Sequence, residues 1–317
     1  MSAARRPTVA VIGAGPAGAA CARELADAGF DVRVLDKSRG VGGRMATRRA
    51  EWTGADGVAT PARFDHGAPA FEVRTEPFLR VVEAAAKAGL LAPWSPRVER
   101  EGRVARADAT QWVPTPDMPA LCRSLLAGLP LQTGCTVDAL HREPDGWAVA
   151  SAGEVVARGL TDVVVAVPPA QAAPLLAPHR PDWAERARSI GMTPCWTLMA
   201  VTDAPAPMPE WEIAEPVDRP VARIVRVDAR PGRTRVPGAS HWVVHATDAW
   251  SRAHLEDPAA DVQAVLQGEL ARALGTQPVW RHATVHRWRY ANAPADAASP
   301  ALCEADPASG LGLCGDA

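Results

Sequence analysis

Gly13, Gly15 and Gly18 stand in G-x-G-x-x-G spacing, with Pro16 and Ala17 between the last two, and Asp36 follows them at the end of an apolar run. The first glycine of such a pattern permits a tight turn. The second lets a pyrophosphate approach the backbone, and the third lets a helix pack closely on a strand. The helix that begins there offers unpaired amides and the positive end of its dipole, which suits an anion. Asp36 is placed to accept from a ribose hydroxyl pair, and its charge would repel a 2′-phosphate, so NADP is not expected here. A second chemical possibility lies near the other end, where His282 and His286 are four residues apart and would share one face of a helix as metal ligands. Their β-branched and aromatic neighbours favour a strand instead, in which His282, Thr284, His286, Trp288 and Tyr290 share one face. A third ligand is lacking as well, so no metal is expected.

The nucleotide motif needs a strand before it and after it. Thr8 to Ile12 is short, apolar and β-branched, and the helix that follows ends at Gly29, after which Phe30 to Asp36 predicts the second strand. Residues 45–49 are short and basic, and Glu51 to Pro61 reads as a polar loop. Glu76 to Gly89 has Phe78, Val81, Val82, Ala85 and Ala86 at helical spacing, which predicts a core-facing helix. Asp117 and Pro119 open a further helix with Leu121, Leu125 and Leu129 on one face. Strands are predicted over Thr136 to Leu140, Trp147 to Ser151 and Val163 to Val167, with a turn at Asp145-Gly146. Residues 170–229 are rich in proline and read as sheet, with strands at Cys195 to Val201 and Val221 to Val227. Asp257 and Pro258 start a last helix, which Gly275 ends.

Composition excludes several classes. The net charge of 317 residues is only −2, with Lys and Arg dispersed, so no nucleic-acid partner is expected. No run of 18 or more apolar residues exists, and no membrane span is expected. Arg5-Arg6 before an apolar stretch imitates a secretory leader, but the nucleotide motif accounts for the same residues better. Six cysteines without metal or redox-motif spacing read as reduced thiols of a cytoplasmic protein.

Several segments carry a family resemblance. Lys37-Ser38-Arg39-Gly40-Val41-Gly42-Gly43-Arg44 resembles the glycine-glycine-arginine segment of amine-oxidase-type flavoproteins. With Phe64-Asp65-His66-Gly67-Ala68 and His286-Arg287-Trp288-Arg289-Tyr290-Ala291, the resemblance narrows to the renalase family. Where that family continues with Gln-Tyr-Phe after the second segment, this chain has Pro69-Ala70-Phe71. The resemblance implies an α/β fold, in which a Rossmann-type FAD-binding domain with a parallel sheet (residues 1–75, 130–168 and 293–317) is interleaved with a mostly β substrate domain (76–129 and 169–292). It implies FAD held by Gly13, Gly15, Pro16, Ala17, Gly18, Asp36, Lys37, Gly43 and Arg44, with His66, Gly67 and Ala68 passing the flavin ring. Val137 would meet the adenine through its backbone, and Gly315 and Asp316 would reach the ribityl or pyrophosphate region.

His245, His286, Trp288 and Tyr290 are the implied catalytic side chains, on neighbouring strands. The implied reaction takes hydride from a dihydronicotinamide, an isomer of NAD(P)H, and dioxygen reoxidises the flavin to give peroxide. An amine oxidase or desaturase on the same fold, or a flavin- or nucleotide-binding protein without turnover, remains open. The family also continues past Gly315-Asp316 with a further helix, which the resemblance leads one to expect after the last residues here.

Overall fold

The structure, a computed structural model, describes residues 6–54, 57–293 and 303–316. The chain clusters into two compact units. One comprises residues 1–44, 122–192 and 292–317, and the other residues 45–121 and 193–291. Residues 45–75, read from the sequence as part of the nucleotide domain, therefore cluster with the second unit, and residues 169–192 with the first.

The first unit is built on a six-stranded sheet in the order Cys303–Asp306, Leu311–Cys314, Asp162–Val165, Thr8–Ile12, Asp31–Asp36 and Leu131–Thr133. All neighbours are parallel except the first pair. Val9, Val11, Val32 and Val34 pack with Ala19 and Ala22 of the helix Pro16–Asp27, so the helix lies on the sheet through small side chains. Ala10, Ile12, Val163, Val165 and Leu313 enter a second core with Trp147, Leu175, Leu176 and Trp183. That core takes in two helices, Pro169–Leu176 and Pro181–Ser189, in a stretch the sequence reads as sheet. Each starts on a proline, whose fixed φ and missing N–H suit a first helical turn, so proline density here marks helix starts. A three-stranded antiparallel sheet completes the unit. Its first strand is Ala139–Glu143 rather than Thr136 to Leu140, because pairing with Gly146–Ser151 sets the register there.

The second unit centres on a seven-stranded sheet containing Trp280–Asn292, Thr193–Asp203, Ala239–Ala246 and Val221–Arg226 as successive neighbours. One face packs against the helix Ala259–Leu274 through Val262, Leu266 and Leu270, with Trp196, Leu198, Ile224 and Trp242 opposite. That helix ends at Gly275 in the left-handed conformation, φ 69°. The other face is covered by an antiparallel hairpin, Thr47–Thr53 with Ala59–Asp65, in the segment expected to be a polar loop. Trp52, Ala62 and Phe64 of the hairpin pack on Met199, Val201 and Val243. The alternation escapes a sequence reading because the outward positions are charged and the inward ones are few and partly alanine.

The helix Glu76–Lys87 forms as expected, yet Phe78 and Val81 are 37% and 49% exposed, and the buried positions are Val82 and Ala85. The helix expected after Asp117 is short, Ala120–Leu125, and leaves Leu129 outside it.

Candidate active site

In the first unit three glycine-bearing turns converge. Gly13 has φ 112°, and a Cβ there would stand 2.4 Å from the Ala166 carbonyl oxygen; one on Gly18 would stand 2.0 Å from the Gly13 carbonyl oxygen. Neither position accepts a side chain. The Gly42 amide donates to the Ala14 carbonyl (2.9 Å), and a Cβ on Gly43 would lie 3.2 Å from the Gly15 Cα, so the second glycine cluster rests on the first. Gly315, also with positive φ, brings the end of the last strand against Ala17, and Asp316 pairs with Arg44. Pro16 occupies the first turn of the helix that follows.

Asp36 is buried at the end of its strand, where its carboxylate accepts from the amides of Ala14 (2.6 Å) and Ser38 (2.7 Å). The side chain expected to meet a ribose thus also fixes the glycine turn. Lys37 donates to Gln171 (3.0 Å). Cys135 donates its amide to the Asp36 carbonyl, which draws the loop carrying half-buried Val137 to the same strand end.

The absence of side chains at Gly13, Gly15, Gly18 and Gly43 lets turn, strand and helix approach closely, and the first-turn amides of the helix, which lack intrahelical acceptors, are the donors open to an anion. Arg44 adds positive charge in the same turn. This donor set fits a dinucleotide diphosphate, and buried Asp36 fits its ribose.

The second unit holds a different kind of site. The His66 ring lies 4.9 Å from the His286 ring and 4.8 Å from that of Trp288, and the latter two are 4.6 Å apart. The His66 carbonyl accepts from Trp288 Nε1 (3.1 Å) and lies 3.2 Å from His245 Nε2, which donates in the tautomer protonated there. Three of the four expected catalytic side chains are therefore gathered around His66. Tyr290 is half-buried further along the strand and shares none of these ring contacts.

Burial, chiefly, lowers the pKa of His66 and His245 to about 4, with His286 and Arg48 acting in the same direction on the first and Arg223 and Arg230 on the second. Hydrogen bonds with Ala46 for His66, and with His66 and Gly67 for His245, pull the other way without winning. The His286 pKa is likewise lowered by burial and by Arg48. His66 and His245 are therefore held neutral at pH 7. His66 Nδ1 is buried with no partner among the described residues.

Sequence reasoning missed what holds this loop. Asp65 is buried and accepts from Arg230 Nη1 (2.6 Å) and Arg233 Nε (2.7 Å), and Thr47 Oγ1 donates to its other oxygen. The same Arg230 guanidinium donates to the Pro69 carbonyl. One side chain thus clasps both ends of Asp65-His66-Gly67-Ala68-Pro69. Burial raises the Asp65 pKa, but the two guanidiniums and Thr47 outweigh it and hold the carboxyl below its ordinary value, while burial lowers Arg230 to about 10. Arg230 and Arg233 lie in an irregular stretch more than 160 residues from Asp65, and nothing in the local sequence marks them.

Among the described residues no group of three His, Cys, Asp or Glu side chains is arranged to hold a metal ion, and no helix is long and apolar enough to cross a membrane.

Residues 11–87 match the NAD(P)-binding Rossmann-like domain family, and residues 100–315 match the flavin containing amine oxidoreductase family. Among solved structures, a cyclohexylamine oxidase from Brevibacterium oxydans IH-35A is similar, with TM-score 0.66 and 14% identity over 98% of this chain and 93% of that one. A reduced UDP-galactopyranose mutase gives 0.67 and 11% over 90% and 82%. A putrescine oxidase bound to putrescine gives 0.61 and 14% over 91% and 88%. These likenesses show the fold: a Rossmann-like parallel-sheet domain joined to a mostly β domain. The family match spans well over half of the chain, and with it the chain belongs to the flavin containing amine oxidoreductases, as an FAD-dependent oxidoreductase.

Proposed function

We propose that this flavoenzyme is a renalase-like oxidase of dihydronicotinamides, taking hydride from an NAD(P)H isomer. The observation that carries the reading is the electrostatic character of the imidazole cluster. The charges bearing on His66, His245 and His286 come from Arg48, Arg223 and Arg230. Asp65 is shared between Arg230 and Arg233, and Arg223 pairs with Glu215, so the guanidiniums among these groups outnumber the carboxylates. Positive surroundings attract a phosphate-bearing substrate and repel an ammonium.

Bound FAD supplies the hydride-accepting and oxygen-reducing chemistry. Gly13, Gly15, Gly18, Gly43, Arg44, Asp36 and Asp316 are the residues assigned to hold it, with Pro16, Ala17, Lys37, Val137 and Gly315 beside them. Oxidising a dihydronicotinamide removes hydride and leaves an aromatic cation, with no proton to abstract. Amine oxidation must also shed a proton from nitrogen, for which imidazoles of pKa about 4 are weak bases. The chain's own contribution is then to orient. Trp288 and His245 fix the backbone at His66, and Arg230 fixes the loop on either side of it.

Oxygen uptake decides between the substrate classes. Reduced nicotinamide isomers should sustain uptake with peroxide release, and raising ionic strength should raise KM. Uptake sustained by primary amines alone would overturn the reading in favour of an amine oxidase, which the putrescine and cyclohexylamine oxidases resemble in fold.

A further inference from the structure

The loop that leaves the imidazole cluster runs into a cavity of about 510 Å³, lined by Ala70, Phe71, Glu72, Arg74, Gln111 and Arg223. Its size falls within the range of small-molecule sites, about 300 to 1,000 Å³. Such sites are mostly apolar, whereas Glu72, Arg74, Gln111 and Arg223 make this one polar and charged.

Its walls are held in place. Phe71 and Trp112 exchange backbone hydrogen bonds (3.1 and 2.8 Å), which also sets the neighbouring Gln111, and the Phe71 ring lies 5.6 Å from that of Phe78. Arg223 Nε and Nη2 both donate to Glu215 Oε1 (3.0 and 2.7 Å), which leaves Nη1 without a partner among the described residues. The other Glu215 oxygen accepts from Arg100 (2.6 Å), so that carboxylate does not neutralise Arg223 alone. Arg74 is held only by Glu72 at 3.9 Å, with its side chain 86% exposed, a pairing too weak to keep it from a ligand. Arg223 stands directly opposite His245 in the antiparallel pairing of their strands. Opposed residues project to the same face about 5 Å apart, so the cavity adjoins the imidazole cluster.

We propose that this cavity is the subsite for the adenylate half of the dihydronicotinamide dinucleotide, an inference that rests on the substrate reading above. Each part of a nucleotide has a counterpart in the lining. The Phe71 ring stacks on the base, and the Gln111 amide, donor and acceptor at once, meets its polar edge. The Glu72 carboxylate accepts from the ribose hydroxyls, and Arg74 and Arg223 Nη1 donate to the phosphate. Ala70 keeps its wall low enough for the ligand to enter. Held there, the remote half of the substrate contributes binding and orientation, while the reacting ring lies on the side of the cluster.

The test titrates AMP into the FAD-saturated full chain by calorimetry, with adenosine and ribose 5-phosphate as partial probes. AMP should bind without displacing flavin, and each partial probe should bind about tenfold more weakly. Ala70→Trp fills the cavity and should weaken AMP binding by about tenfold or more at unchanged flavin content. Arg74→Ala, at an exposed position where the fold is not at stake, should weaken AMP but leave adenosine unchanged. In stopped-flow reduction Ala70→Trp should raise the half-saturating concentration of the dinucleotide about tenfold, and that of the dihydronicotinamide mononucleotide by less than about twofold. No AMP binding, AMP binding that displaces FAD, or binding indifferent to both substitutions would each overturn the proposal. If neither dihydronicotinamide reduces the flavin, the substrate reading falls by itself, and the AMP titration, made without turnover, still decides the cavity.

Discussion

The two units build their sites from opposite materials. The cradle of the first is backbone: glycines let its turns pack without side chains, and Asp36 spends its own carboxylate on the amides of Ala14 and Ser38. The cluster of the second is side chain: His66, His245, His286 and Trp288 come from three distant segments, held by an arginine that belongs to none of them. A backbone site fails when atoms are added. A side-chain site fails when atoms are removed, and its charge state makes it sensitive to pH.

The largest effect should follow from adding one carbon to the cradle. Gly18→Ala forces a Cβ to 2.0 Å from a carbonyl oxygen, at a cost of about 3 kcal/mol or more. The flavin-to-protein absorbance ratio of the purified variant should collapse. Full flavin occupancy would show that the turn has slack and that the backbone account is wrong.

Removal should matter nearly as much in the second unit. Arg230→Met deprives buried Asp65 of one partner and releases the Pro69 carbonyl, for an expected loss of about 3 to 5 kcal/mol. Urea denaturation measures it, and a loss below about 1 kcal/mol would mean that Arg233 alone holds the loop.

The buried imidazoles predict an acid limit. His66 and His245 titrate near 4 when folded and near about 6.5 when unfolded. Their depressed folded pKa means that the stability they contribute is whole above pH 6.5 and declines as pH falls towards 4, by about 1.4 kcal/mol per pH unit for each group. Urea midpoints across that window should fall for the parent and fall less steeply for His245→Gln. Parallel curves would remove His245 from the account.

The smallest effect belongs to a single hydrogen bond. Trp288→Phe deletes the donor to the His66 carbonyl, worth about 1 kcal/mol, which corresponds to about a fivefold slower reductive half-reaction at unchanged flavin content. Loss of flavin at an unchanged rate would make Trp288 scaffold instead.

The same contrast explains what the sequence makes legible. Glycines at Gly13, Gly15, Gly18, Gly42 and Gly43 record backbone conformation in residue type, so the cradle, its helix and its two strands can be read from contiguous residues. His286 and Trp288 are readable as one strand face because alternation is local. The hairpin that packs on Met199, Val201 and Val243 is harder, since its inward positions, among them Ala50, Trp52, Ala62 and Phe64, are few and its outward ones charged. Arg230 and Arg233 leave no local trace at all. Their role depends on Asp65, and only the folded sheet brings the three together.

Anaerobic mixing of the FAD-loaded protein with reduced nicotinamide isomers, and separately with primary amines, tests the proposed function most directly. The account predicts rapid bleaching of the flavin by a dihydronicotinamide, slower as ionic strength rises, and no bleaching by amines. Bleaching by amines alone would contradict it, and a flavin that neither class reduces would leave a binding protein in place of the enzyme.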